Sequence, residues 1–270
     1  MRSAAHRAGL IVGIIVAFGT VGVSPGHAAD EVFERTVPLS AGGAFALQNV
    51  NGSVMIAGWD RDAVEVRAVK TSPGASAELA VSDLARVQVN VAATPGRVTV
   101  TTTYPEDEGV DVGVTYSVRV PRRVWLQQVT TVNGTVHVAG VEGAGELRSV
   151  NGDVEVSDSA GPFSARTTNG DIHMELARLT AFPRAQVLRD ATPIRMETVN
   201  GSIGLALPEK TAASLEVRCL KGDFHSDLPV STLGAYTPRE FLGRLGGGGT
   251  PVRLSTVNGA IRIQLLKQGV

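Results

Sequence analysis

Six times in this sequence an Asn-Gly pair recurs inside the same octet, and no other feature restricts the fold as strongly. The copies run over 49–56, 131–138, 149–156, 167–174, 198–205 and 256–263, and a degraded copy over 219–226 carries Lys221 in place of Asn. From Asn133 to Asn151 to Asn169 the spacing is 18 and 18, and onward through Asn200 and Lys221 to Asn258 it is 31, 21 and 37. Asn-Gly tolerates positive φ at adjacent positions, so each copy predicts a tight corner or a two-residue hairpin turn. The third and fifth residues after Asn are apolar, as in Val136/Val138, Val154/Val156, Ile172/Met174, Ile203/Leu205 and Ile261/Ile263. That alternation predicts a strand with one buried face. Ahead of the pair, the fourth residue before Asn is apolar in most copies (Val129, Leu147, Ala165, Met196, Leu254). The second before Asn is Thr, Ser or Cys in all but the first copy, as a crowded interior corner requires.

Two architectures can use this unit. In a meander each Asn-Gly closes its own hairpin; in a β-solenoid each is a corner lying over the next, ~4.8 Å away. A meander does not need Thr or Ser to recur two places before Asn, so the repeat favours stacking. The expectation is an all-β chain, a single-stranded β-helix-like solenoid over residues 124–270. The region 29–123 is strand-rich without the 18-residue beat, and is expected to cap the solenoid as a β-sheet continuous with it. Within it, residues 64–69, 87–91, 98–101 and 114–120 alternate, and Ala77 to Leu84 reads as a short helix or turn. The 31-residue interval adds 31 − 18 = 13 residues around Ala177 to Pro193, read as a protruding loop. The last interval, with Pro229, Pro238 and Gly246 to Gly249, reads as a flexible stretch.

Residues 1–28 read as a secretory signal peptide, with Arg2 and Arg7 before an apolar run from Leu10 to Phe18 and Gly26-His27-Ala28 ahead of the cleavage point. Its removal leaves no stable membrane span and places the chain outside the cytoplasm, in the periplasm, on the cell surface or in the medium. The 25 Lys+Arg against 26 Asp+Glu lack the basic excess of a nucleic-acid binder. Cys219 is the single cysteine, so neither a disulfide framework nor a Cys-based zinc cage can be built within this sequence.

The succession of Asn-Gly octets, Gly58-Trp59-Asp60 after the first, the Val120-Pro121 lead-in and the Gly-rich stretch before Thr256 resemble the bacterial putative-adhesin family, from about Ala44 to Leu265. The resemblance implies an exported β-strand-repeat domain of unknown function, a β-helix-like fold and no established catalytic residues.

Candidate chemistry lies in columns that stacking would create. The fourth position after Asn gives His137, Glu155 and His173, conceivable zinc ligands on adjacent rungs. The second position after Asn gives Asp153 and Asp171, whose ~5 Å separation would suit a retaining glycosidase. The third before Asn gives Arg148, Arg166, Glu197 and Arg218, a column that could dock an anion if no surface acids screened it. Solvated outer positions and turn-flanking Asp explain the first two columns without chemistry. Trp59 and Trp125, flanked by strand-like apolar residues, read as core or rung-end plugs. The expectation is therefore a non-enzymatic envelope binding or scaffold protein, with a glycan or protein partner and no metal or cofactor. The alternatives are a carbohydrate-active β-helix enzyme using Asp153 and Asp171, and an envelope-stress sensing module acting through protein contacts.

Overall fold

The computed structural model describes residues 21–23, 29–74, 76–105, 109–179, 194–237 and 239–266. The expected signal peptide, apart from 21–23, and most of the loop expected up to Pro193 lie outside the described residues. Along the chain, β1 (Val21–Val23), β2 (Ala29–Pro38), β3 (Ala44–Gln48), β4 (Val54–Trp59) and β5 (Ala63–Ser72) precede helix α1 (Ala77–Arg86). Then come β6 (Gln88–Thr94), β7 (Arg97–Thr103), β8 (Gly113–Pro121), β9 (Trp125–Thr130), β10 (Val136–Ala139), β11 (Gly145–Arg148) and β12 (Val154–Ala160). The chain continues through β13 (Phe163–Arg166), β14 (Ile172–Arg178), β15 (Ile194–Asn200), β16 (Ile203–Leu207) and β17 (Ala213–Lys221). It ends with β18 (Phe224–Ser226), β19 (Val230–Thr237), β20 (Glu240–Leu245), β21 (Thr250–Asn258) and β22 (Ile261–Leu265).

These strands form two large mixed sheets of eleven strands each. Sheet I has the order β1-β2-β5-β8-β4-β10-β12-β14-β16-β22-β18, and sheet II the order β19-β20-β17-β21-β15-β13-β11-β9-β3-β7-β6. Each Asn-Gly corner carries the chain from a strand of sheet II to a strand of sheet I, making one two-stranded rung. The corners overlie one another in parallel register: Asn51 on Asn133, Asn133 on Asn151, Asn151 on Asn169, Asn169 on Asn200, then Asn200 on Asn258. The hairpin meander is therefore not the arrangement adopted.

Chain order and stack order part company at both ends. The rung β3/β4 lies between β7/β8 and β9/β10, and the last rung, β21/β22, slips between β15/β16 and β17/β18. Gly246 to Gly249 carry the chain from β20 to β21 across the residues leading into β17, where a Cβ on Gly249 would lie 2.9 Å from the Ala212 carbonyl oxygen. Beyond the parallel rungs, antiparallel strands finish the sheets: β5, β2 and β1 on sheet I, β6 at one end of sheet II and β20 and β19 at its other end. Residues 29–123 thus lengthen both sheets. Helix α1, N-capped by the Ser76 hydroxyl, contributes Ala80 and Leu84 to the core. Its C-terminal carbonyls of Leu84 and Val87 accept hydrogen bonds of 2.9 and 3.0 Å from the buried Lys70 ammonium, which also meets Glu31 at 2.8 Å.

The core between the sheets is built by the alternating residues of the repeat. Val136, Val138, Val154, Val156, Ile172, Met174, Ile203, Leu205, Ile261 and Ile263 are buried, as are Val129, Leu147, Ala165, Met196, Val217 and Leu254 on the other side. Complete burial of such side chains contributes ~1.5–3 kcal/mol each. The small polar residue before each corner is buried as well, and the reason is a hydrogen bond between rungs. The hydroxyls of Thr131, Ser149, Thr167, Thr198 and Thr256 donate to the carbonyls of Gly52, Gly134, Gly152, Gly170 and Gly201 at 2.8–2.9 Å. Cys219 makes the thiol version to the Gly259 carbonyl at 3.2 Å. Glycine is required there by close approach, since a Cβ on Gly152 would lie 2.2 Å from the Gly134 carbonyl oxygen. Outside the corner, each Asn carboxamide donates from Nδ2 to Oδ1 of the Asn on the neighbouring rung, from Asn258 through to Asn51, at 2.7–2.8 Å.

At the first repeat the pattern is solved differently. Asn49 takes the Thr position and donates to the Val114 carbonyl at 2.9 Å. Its Oδ1 accepts from the Thr102 hydroxyl at 2.9 Å, which leaves Tyr116, 2.6 Å away, as the donor to Thr102. Burial pushes the Tyr116 hydroxyl up to about 12.

Two outcomes follow from this packing. Thr167→Val keeps the shape but leaves the partly buried Gly152 carbonyl without its donor, so chemical denaturation is expected to show a loss of about 1 kcal/mol, whereas Thr167→Ser loses less. Tyr116 has a folded pKa of about 12, above its ordinary value of about 10, so the folded protein keeps that proton longer. Its contribution is complete below pH ~10 and declines between about 10 and 12. Unfolding titrations at stepped pH are expected to show this segment of the alkaline decline flattened in Tyr116→Phe.

Candidate functional site

The column after the corner that begins with His137 does form. His137, Glu155 and His173 are in register on β10, β12 and β14, followed by Gly204 on β16. Arg262 then precedes His225, because the last rung lies inside its predecessor. The side chains do not converge. His137 Nδ1 meets Glu155 Oε2 at 3.0 Å, whereas His173 turns its Nε2 toward Glu175 on its own strand, at 3.3 Å. The His173 ring occupies the space over Gly204, where a Cβ would lie 2.7 Å from Nδ1. His225 likewise meets Asp227 at 3.1 Å. Among the described residues no three His, Cys, Asp or Glu side chains are grouped to hold a metal ion.

Asp153 and Asp171 also lie one rung apart, but each carboxylate is engaged by the backbone. Asp153 Oδ1 accepts the Asp171 amide, and Asp171 Oδ1 accepts the Ser202 amide, both at 2.7 Å. Ser53 and Ser202 do the same for the amides of Thr135 and Ala260 at 3.3 Å. At these four corners the position after the Asn-Gly pair is therefore an acceptor for the next rung, and Asp and Ser serve in it because both carry an oxygen at that reach.

The arginine column on the outer face of sheet II is neutralised. Arg148 pairs with Glu146, Arg166 with Glu197, and Arg218 with Glu240 at 3.0 Å and Glu216 at 3.6 Å. Arg253 reaches Glu216 at 2.6 Å, and Arg195 reaches Glu197 at 3.5 Å. An anion docked across stacked arginines would have to displace these carboxylates.

The two tryptophans differ from the reading as core or rung-end plugs, because neither is buried. Trp59 has the Arg61 guanidinium 5.0 Å from its ring centroid and that of Arg119 at 5.8 Å, and its Nε1 donates to the Ala63 carbonyl at 2.8 Å. Trp125 is half-buried on β9, beside the fully buried Leu126, so alternation sends its indole to the outer face of sheet II. The repeat also exposes a feature with no polar signal in sequence. The residue just before the corner Asn is apolar and 37–55% exposed in Val50, Val132, Val150, Val199 and Leu220, forming a row beside the Asn ladder. Among the described residues no helix is long and apolar enough to cross a membrane.

The sequence matches one family over residues 35–264, a span that holds all six Asn-Gly corners. The chain belongs to the Toastrack DUF4097 family. No curated protein matches its sequence. Among solved structures this Toastrack chain is similar to a putative cell adhesion protein from Clostridium sporogenes, at 9% identity and a TM-score of 0.43, covering 87% of this chain and 99% of that one. It is similar to a putative adhesin from Bacteroides fragilis at 10% identity and a TM-score of 0.42, covering 86% and 96%. A putative lipid binding protein from Parabacteroides distasonis aligns at 7% identity with a TM-score of 0.21.

If Asp153 serves the backbone of the next rung, Asp153→Ala is expected to lower stability by about 1 kcal/mol. Asp153→Asn, which keeps an acceptor oxygen, is expected to cost less than half of that in the same denaturation experiment.

Proposed function

We propose that this protein is a non-enzymatic, exported β-solenoid that works at the cell envelope as a binding or scaffold module. The single observation that carries the reading is the employment of the ionisable side chains raised as chemical candidates. The histidines are paired with carboxylates, the arginine column is paired with glutamates, and Asp153 and Asp171 accept backbone amides. A general acid or nucleophile needs a poised group and space for substrate, and these groups are engaged by neighbours on their own strand or on the adjacent rung. Parallel rungs in register support the solenoid reading, with the antiparallel strands at both ends as its caps. The leader-like pattern of residues 1–28 supports export. Rigid, regularly spaced outer faces suit a module whose affinity is spread over several rungs.

The test is sedimentation of the mature protein with isolated envelope fractions. Saturable co-sedimentation is expected, unchanged in Asp153→Asn and Asp171→Asn, with no release of reducing sugar. Reducing-sugar release that disappears in Asp153→Asn would establish the enzyme in its place.

A further inference from the structure

The outer face of sheet II is divided into two chemically different fields. From β11 to β20 it carries most of the charged side chains of this face, and Arg148, Arg166, Arg195, Arg218 and Arg253 are paired with glutamates, as described above. From β9 to β6 the same strand positions carry uncharged hydroxyls and carboxamides. Thr99 and Thr101 on β7 flank Ala46 and Gln48 on β3, which in turn flank Gln128 and Thr130 on β9. The outward residues of β6, Gln88, Asn90, Ala92 and Thr94, continue the neutral field, and Arg97 at its border is the one charged outward side chain on these four strands. Among the described residues, Thr99, Thr101, Gln48, Gln128 and Thr130 have no side-chain hydrogen bond to another protein group. Their neighbours in the charged field have their partners within the sheet. Strand spacing holds these free donors and acceptors in rows ~4.8 Å apart.

Beside this field stands Trp125. Both tryptophans are accessible, yet Trp59 is occupied by two guanidiniums and a carbonyl. Trp125 has neither a cation on its ring nor a hydrogen-bond partner for its N–H among the described residues. A half-buried indole without a cation on its ring, next to amides and hydroxyls that bond no other protein group, suits a ligand that is apolar on one side and rich in hydroxyls at its edges. The absence of charge selects against anionic ligands, which would find only Arg97 and would lose the ion release that drives binding to basic surfaces.

We propose that this half of sheet II binds an uncharged polysaccharide, with Trp125 stacking on a sugar ring and Gln48, Gln128 and Thr101 bonding its hydroxyls. The proposal rests on the binding-module reading and names its ligand class and face. The test is calorimetric titration of the mature protein with cellohexaose, maltohexaose and chitohexaose, with polygalacturonate as the anionic comparator. Binding of at least one neutral hexasaccharide is expected, insensitive to salt. It should weaken about tenfold in Trp125→Ala and in the Gln48→Ala/Gln128→Ala double variant, the loss of roughly 1.4 kcal/mol. The double variant changes only accessible side chains, so it reports even if Trp125→Ala fails to fold. Glu146→Ala/Arg148→Ala, in the paired field, should leave affinity unchanged. The proposal is overturned if no neutral hexasaccharide binds, if polygalacturonate binds more tightly, or if the double variant binds like wild type. Envelope sedimentation that persists in the double variant sinks this inference alone; a wild-type protein that does not sediment sinks the module reading itself.

Discussion

The structure depends on one contact repeated from rung to rung: a buried hydroxyl donating to a glycine carbonyl on the rung beneath. It needs a small donor two places before Asn and a glycine after it. The donor must fit inside the corner, and any Cβ on the glycine would collide with the backbone below. A buried carbonyl left unpaired costs more than the net value of the bond it lacks, so every corner has to solve the same problem. Thr and Ser solve it at five corners, Cys219 with a thiol, and Asn49 with a carboxamide. The exposed Asn ladder adds a second line of hydrogen bonds on the outside of the same corners.

Parallel stacking leaves open sheet edges, and the chain manages them by changing direction. Antiparallel strands follow the rung β7/β8 at one end, and β20 and β19 follow β17 at the other. On sheet I the last strand, β18, is three residues long. A short edge offers little backbone for another chain to pair with. Inserting β21/β22 inside β17/β18 gives the degraded corner at Lys221, whose side chain cannot accept a hydrogen bond, the terminal place, where no further Asn lies beyond it to donate one.

Much of this was legible in the residues and some was not. The inward row was readable because burial acts on each residue separately: Val136, Val138, Ile203 and Leu205 alternate because every rung has the same inside. The small residue before the corner was readable as crowding, though the rung-to-rung bond it makes was not. Stack order was hidden, because a repeat records which segments are alike and not which lie adjacent; Arg262 falls before His225 for that reason. The His137, Glu155 and His173 column was placed correctly in register, but its chemistry depended on rotamers, and His173 turns to Glu175. Trp125 and Trp59 looked alike in sequence since each is flanked by apolar residues; what separates them is the pair of arginines that the fold delivers to Trp59. The division of sheet II into a paired field and a free neutral one depends on which strands become neighbours.

The most direct measurement is a nuclear Overhauser map of the corner residues in isotope-labelled protein. Stacked corners with an inserted last rung require Asn258 to show contacts to both Asn200 and Lys221, and Asn151 to both Asn133 and Asn169. Direct contacts between Asn200 and Lys221, with Asn258 outside them, would contradict the stack described here.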